Sequence, residues 1–170
     1  MAVATRNIAY GADVQMTVTN LVSLPDSATA GWQNARVDNT SAKAIDYQVQ
    51  FTIPMANTSP AAPYTLYVFV IPWFYDGSSW SCGADGGTTT LPSGAEGNYT
   101  IGTTHNLRLG MALTYTAAGQ TLAGFFNVSD SLGMSCPQGW GLVVINDTGA
   151  AIAGSGVVVQ YVPITETFTS

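Results

Sequence analysis

Two pairs of carboxylates, Asp38 with Asp46 and Asp76 with Asp85, could divide acid and base work, and one histidine, His105, could carry a proton or bind a metal. Their neighbours point elsewhere. Asp38-Asn-Thr40, Asp76-Gly77 and Asn146-Asp-Thr-Gly149 are turn sequences, in which an aspartate side chain caps nearby backbone N–H groups. His105 has no second histidine to work with, and neither Cys82 nor Cys136 lies close to it in sequence, so a transition-metal site would have to be assembled from distant loops. The hydrolase elbow Gly-x-Ser-x-Gly is approached only by Gly133-Met-Ser-Cys-Pro137, where proline takes the last place. No glycine loop with a following lysine is present to cradle a phosphate. Bases, ligands and nucleophile motifs are missing together, so the chain is expected to catalyse nothing and to carry no cofactor.

What remains with binding potential is aromatic. Trp73-Phe74-Tyr75 is followed closely by Trp80, and Tyr99 stands beyond a stretch rich in Gly, Ser and Thr. Any one of these rings could fill the core at one end of a fold. Burying all of them beside a glycine-rich loop is harder, and protein interfaces are enriched in Trp, Tyr and Phe and depleted in Lys and Glu. Trp73, Phe74, Tyr75, Trp80 and Tyr99 are therefore the candidate contact residues. A protein surface is the first partner to consider, and a glycan, whose sugar faces stack on such rings, is the second. Trp32 and Trp140, at expected strand boundaries, read as core plugs.

Only 8% of the 170 residues are charged while 46% are hydrophobic, where a typical soluble domain has about a quarter charged. Much of the surface must then be neutral and polar, or covered by another protein. The formal charge is −6, and the four cations Arg6, Arg36, Lys43 and Arg108 are scattered. Without a basic cluster to displace phosphate counterions, nucleic acid is not an expected partner. The longest apolar stretch, Leu66 to Tyr75, contains Pro72 and is about half the roughly 20 residues a membrane span requires, so no membrane anchor is expected. Met1 to Gln15 lacks a basic leader followed by an apolar run, which predicts synthesis in a cytoplasm. Reduced thiols at Cys82 and Cys136 are then expected over a disulfide. Five Asn-x-Ser/Thr matches, at Asn39, Asn57, Asn98, Asn127 and Asn146, read as composition and not as glycosylation.

The apolar residues come in short, even-period bursts between Gly, Ser, Thr, Asn and Pro. Asp13 to Thr19 alternates with Val14, Met16 and Val18 on one face, and Ala42 to Ile53 with Ile45, Tyr47, Val49, Phe51 and Ile53. Tyr64 to Ile71 is apolar on both faces and needs two covers, and Pro72 should end its regular pairing or put the continuation at an edge. From Ser78 to His105 turn residues dominate, with a short strand expected near Asn98 to Ile101. Leu107 to Tyr115, Thr121 to Val128, Gly139 to Ile145 and Val157 to Ile164 complete the set, with Val157, Val159 and Tyr161 on one face. No segment shows sustained helical periodicity. The expected architecture is all-β: a two-sheet antiparallel sandwich of jelly-roll type with about eight strands and no long helix, in one domain over 13–170. Residues 1–12 read as an arm reaching to a neighbouring subunit or as a frayed end.

Thr29-Ala-Gly-Trp32, Val37-Asp-Asn-Thr-Ser41 with Asp46 beyond it, Tyr67-Val-Phe-Val70 and Trp140-Gly-Leu-Val-Val-Ile-Asn-Asp-Thr-Gly149 resemble the small virion proteins of tailed bacteriophages that decorate or cement the capsid. The likeness is spread over about two thirds of the chain. It implies a sandwich or jelly-roll subunit on the outside of a head, commonly a trimer, with the major capsid protein as partner and no catalytic residues to carry over. Asp38 and Asn39 would then form a turn and Trp140 would anchor a strand. Between Pro72 and His105 the chain departs from the pattern, being longer and richer in aromatics and glycine. The expected function is that of a non-enzymatic capsid decoration protein on the virion exterior that assembles as a homo-oligomer. A carbohydrate-binding module and a tail component of the same fold are its rivals.

Overall fold

Tyr47, Val49, Phe51 and Ile53 are buried and the Gln48, Gln50 and Thr52 between them are not, the period of a strand with one face on a core. This holds in a computed structural model that describes residues 5–82, 93–100 and 107–169. In chain order the elements are β1 Thr5–Tyr10, β2 Val14–Gln15, β3 Ala30–Gln33, β4 Val37–Asp38, β5 Asp46–Pro54, β6 Thr65–Tyr75, β7 Trp80–Cys82, β8 Gly97–Thr100, β9 Arg108–Thr114, β10 Thr121–Asn127, α1 Val128–Leu132, β11 Gly139–Asp147 and β12 Val158–Thr169.

The strands pair as one long hairpin rolled up. β1 pairs β12, β3 pairs β11, β5 pairs β10 and β6 pairs β9, so the first half of the chain meets the second half in reverse order. Rolling brings β12 beside β5 and β11 beside β6. The result is two antiparallel sheets, one ordered β1-β12-β5-β10 and the other containing β3-β11-β6-β9, with β2, β4, β7 and β8 added at their margins. Two four-stranded sheets connected in this way form a jelly roll. The expected all-β sandwich without a long helix is what the chain builds.

Between the sheets, Trp140, Tyr47 and Tyr161 pack ring against ring with centroids 5.2–5.5 Å apart. Trp32 and Trp140 are fully buried, as core plugs must be. Three buried asparagines tie the connections to this core. Asn39 accepts from Ala44 N–H and the Tyr47 hydroxyl, each at 2.8 Å, and donates to the Ala44 and Pro137 carbonyls. Asn34 Oδ1 accepts from Leu142 N–H at 2.6 Å, bridging the gap between β3 and β4 along β11. Asn146 donates to the Leu24 and Ala150 carbonyls. Two of the five glycosylation-like sites, Asn39 and Asn146, are thus consumed by the fold.

Several sequence expectations need correction. Over Asp13 to Thr19 only Val14–Gln15 is strand, because the chain turns at Val18 to Leu24; Met16 and Val18 pack on the core, but Val14 lies exposed at the rim. Ile45 precedes β5, outside its alternation, and is also exposed, while its neighbour Ala44 takes the buried place. Pro72 does not end pairing: β6 runs on to Tyr75 with Pro72 opposite Trp140 in the middle of a sheet. The alternation explains it. Tyr75 N–H points to the β11 side, toward Gln138, so the missing N–H of Pro72 faces the other way, where β9 has stopped at Val70 and β7 begins at Trp73. Cys82, placed in a loop by its neighbours, ends β7. The Gly149 N–H is capped by Asp26 and not by Asp147.

Candidate functional site

Strand alternation divides the five candidate rings. Trp73 and Tyr75 lie on the outer face of their sheet, and Phe74 between them points to the opposite face, where it is exposed at the end of the sandwich. Trp80 on β7 stands directly opposite Tyr75, with ring centroids 5.0 Å apart. The Arg36 guanidinium lies 4.1 Å from the Trp80 ring centroid and 5.2 Å from that of Trp73. Trp73 is 5% exposed and Tyr99, on β8, 1%. Burial pushes the Tyr99 hydroxyl up to about 12.

Two glycines of β11 make this packing possible. A Cβ at Gly139 would meet Trp80 Cζ3 at 2.7 Å, and one at Gly141 would meet Trp73 Nε1 at 3.2 Å. The Gly139-Trp-Gly141 spacing is the signal that could have revealed it, since glycine inside a strand marks a close approach. Ile71, Val143 and Ile145 are buried beside these rings, with Cys82 packed against them; Cys136 packs on the inner core instead, so the two cysteines belong to different clusters. The assembly is a closed aromatic cluster capped by a cation. Trp73 and Tyr99 offer no open platform to a sugar and the Arg36 guanidinium stacks on Trp80, so these three rings lend no support to a glycan site, whereas Phe74 is exposed and Tyr75 half-buried.

The carboxylates do what turn sequences require. Asp38 Oδ1 accepts from Thr40 N–H and its hydroxyl, each at 2.7 Å, and the hydroxyl bond foremost holds its carboxyl below the usual range. Asp76 accepts from Ser78 and Ser79 N–H, which likewise lowers it. Asp46 reaches Ser129 N–H at 2.9 Å and caps the first turn of α1. Asp38 and Asp46 therefore serve different backbone groups. Asp85 and His105 lie outside the described residues. Among the described residues no group of three or more His, Cys, Asp or Glu side chains converges, and no helix is long and apolar enough to cross a membrane.

A second surface was not singled out by its sequence. On the outer face of the β1-β12-β5-β10 sheet, Gln15, Gln160, Gln50 and Phe125 stand in one row across β2, β12, β5 and β10. The flanking rows bring Val158, Thr52 and Ala123 on one side and Val162 and Gln48 on the other. None of these residues is charged. Gln160 donates to Gln50 at 3.0 Å and Gln50 to Gln48 at 3.2 Å, so their amides are committed to one another. Phe125 is 66% exposed beside a hollow of about 430 Å³ floored by Thr52, Gly124 and Val158. An apolar ring in an uncharged polar surround has the composition of an interface centre.

No family model, curated protein or solved structure matches the chain.

Proposed function

We propose that the chain is a non-enzymatic structural protein of a virion, which binds the outer surface of the capsid as a homo-oligomer and reinforces the head. The observation that carries this reading is the uncharged patch around Phe125 on the outer face of a jelly roll, in which Asp38 and Asp76 are taken up by turns. A protein of net charge −6 that leaves the part of a sheet face around Phe125, from Gln15 through Gln160 and Gln50, without charge has a surface suited to cover by another protein. Bridging adjacent capsid subunits there would couple the opening of the shell to the breaking of these contacts, and mass action then favours the closed particle. The acidic remainder would face outward and disfavour contact with packaged DNA.

The test is the copy number of this protein in purified virions relative to the major capsid protein, by quantitative mass spectrometry, together with the survival of heads that lack it. Comparable copy numbers, and loss of heat and osmotic resistance in heads without it, are the expected results. Phe125→Glu should lower its occupancy on heads while leaving its unfolding midpoint unchanged. A protein absent from particles, or heads equally robust without it, would sink the reading.

A further inference from the structure

The two ends of the chain leave the body of the sandwich together. β5 accompanies β12 only as far as Ile164, and from Thr165 to Thr169 the partner of β12 is β1. Every residue of β1 is exposed, and among the described residues β1 stands at the end of the strand order of its sheet. A two-stranded ribbon is marginally stable by itself in water, and an open edge is a template for another strand. Edges that stay single are commonly blunted by Pro, Lys or a bulge. β1, Thr-Arg-Asn-Ile-Ala-Tyr, has none of these and pairs with β12 without a break in register.

The direction of its backbone groups follows from one bond. Gly11 N–H donates to the Pro163 carbonyl, so the odd-numbered residues of β1 turn their N–H and C=O to β12, and Arg6, Ile8 and Tyr10 turn theirs to the open edge. The side chains of these three share a face with Glu166 and Phe168 across the ribbon. Ile8 is 52% exposed, Tyr10 67% and Phe168 69%. Arg6 and Glu166 form an ion pair, so the ribbon is neutral and the net charge of −6 lies on the rest of the molecule. It is a place where two acidic copies can approach without repulsion.

We infer that β1 pairs antiparallel with β1 of a second copy about a two-fold axis at Ile8. In this register Ile8 faces Ile8 of the partner subunit, and Arg6 faces Tyr10 of the partner subunit. Each facing pair exchanges two N–H···O bonds, and every outward backbone group of the edge is satisfied. An axis at Arg6 would instead set two guanidiniums opposite each other, and one at Tyr10 would leave Arg6 and Ile8 unpaired. The contact is self-complementary and closes at two copies, consuming the edge it uses. It joins the two sheets into one, and brings Ile8, Tyr10 and Phe168 of both copies onto one face, where the Arg6–Glu166 ion pairs stand between them. The inference is independent of the capsid reading, and its dimer differs from the trimer that the sequence resemblance implies.

The test is the mass of the full chain in solution, by sedimentation velocity over a concentration series, for the wild type, Ile8→Lys, Ile8→Pro and Thr167→Lys. The Ile8 amide makes no bond to β12, so proline there removes none from the ribbon, and Ile8→Lys sets like charges at the axis. A dimeric wild type, monomeric Ile8 variants whose unfolding midpoints equal that of the wild type diluted below its dimerisation range, and a dimeric Thr167→Lys on the opposite face are the expected results. Hydrogen exchange on the wild type reads the same contact without mutation. The Ile8 and Tyr10 amides should slow as concentration rises through the dimerisation range, and those of Asn7 and Ala9 should be slow throughout. A wild type that stays monomeric, a trimer, a dimer that survives Ile8→Lys, or Ile8 and Tyr10 exchange that ignores concentration would each overturn it.

Discussion

Trp32 donates its indole N–H to the Glu96 carboxylate at 2.8 Å, joining β3 to the residue just before β8. Glu96 also accepts from the backbone and side-chain amides of Asn20, at 2.8 and 2.7 Å, so one carboxylate holds three segments together. The indole is fully buried and cannot turn to water if its partner is lost. Glu96→Ala should therefore cost about 1–3 kcal/mol, the range for orphaning a buried donor. In a Trp32→Phe background, where that donor is gone, the same change should cost less by about 1 kcal/mol or more. A double-mutant cycle by urea unfolding checks it, and equal costs in both backgrounds would show that the bond contributes nothing.

Arg36 between the rings of Trp73 and Trp80 makes a second prediction. Replacing it by Met keeps an apolar stem but removes the planar cation, with an expected loss of about 1–2 kcal/mol for a partly desolvated cation–π contact. Arg36→Lys should restore only part of it, because an ammonium does not stack as a guanidinium does. Unfolding midpoints and tryptophan emission report the change. A lysine variant as stable as the wild type would mean that charge alone matters there.

Gly31 and Gly97 lie on the paired strands β3 and β8 with opposite consequences. A Cβ on Gly31 would run into the Val144 carbonyl oxygen on β11, while one on Gly97 would meet nothing within 4 Å. Gly31→Ala should destabilise by about 1–3 kcal/mol, as overpacking does. Gly97→Ala should be neutral or stabilise by about 0.4–1 kcal/mol through the unfolded chain. Thermal melts of the two variants decide this, and a harmless Gly31→Ala would show that β3 can shift on β11.

These contrasts also mark what could be read from sequence. Period-2 alternation located β5 and the two-sided apolar run of β6, since both patterns are set by which face of a strand meets the core. β7 has no such pattern in Trp-Ser-Cys, and exists because Trp73 to Tyr75 offer it an edge. Pro72 misled because its tolerance depends on which side its absent N–H faces, a property of the register and not of the residue. The five candidate rings read as one set from spacing alone. Their separation depends on alternation within β6 and on Arg36, thirty-seven positions before Trp73. The uncharged patch joins residues from β2, β5, β10 and β12, whose adjacency only the rolled topology creates. The overall poverty in charge foretold that such a patch must exist, without saying where.

Alkaline pH should weaken the fold in a defined window. Burial pushes the Cys136 thiol from its ordinary 9.0 up to about 12 and the Tyr99 hydroxyl from 10.0 to about 12, and raises Tyr47 as well. Each of these groups is neutral when protonated, and the folded state holds the proton more tightly than the unfolded one. Between the two values the unfolded chain binds fewer protons, so stability falls as pH rises. The contribution is complete below about pH 9, where both states are protonated, and is lost progressively toward pH 12. Urea midpoints measured across that interval should decline. Cys136→Ala should flatten the first part of the decline, because the thiol is the group that begins to titrate lowest in the unfolded chain. Midpoints constant to about pH 11 would mean that water reaches these groups in the folded protein and that their burial does not hold the proton.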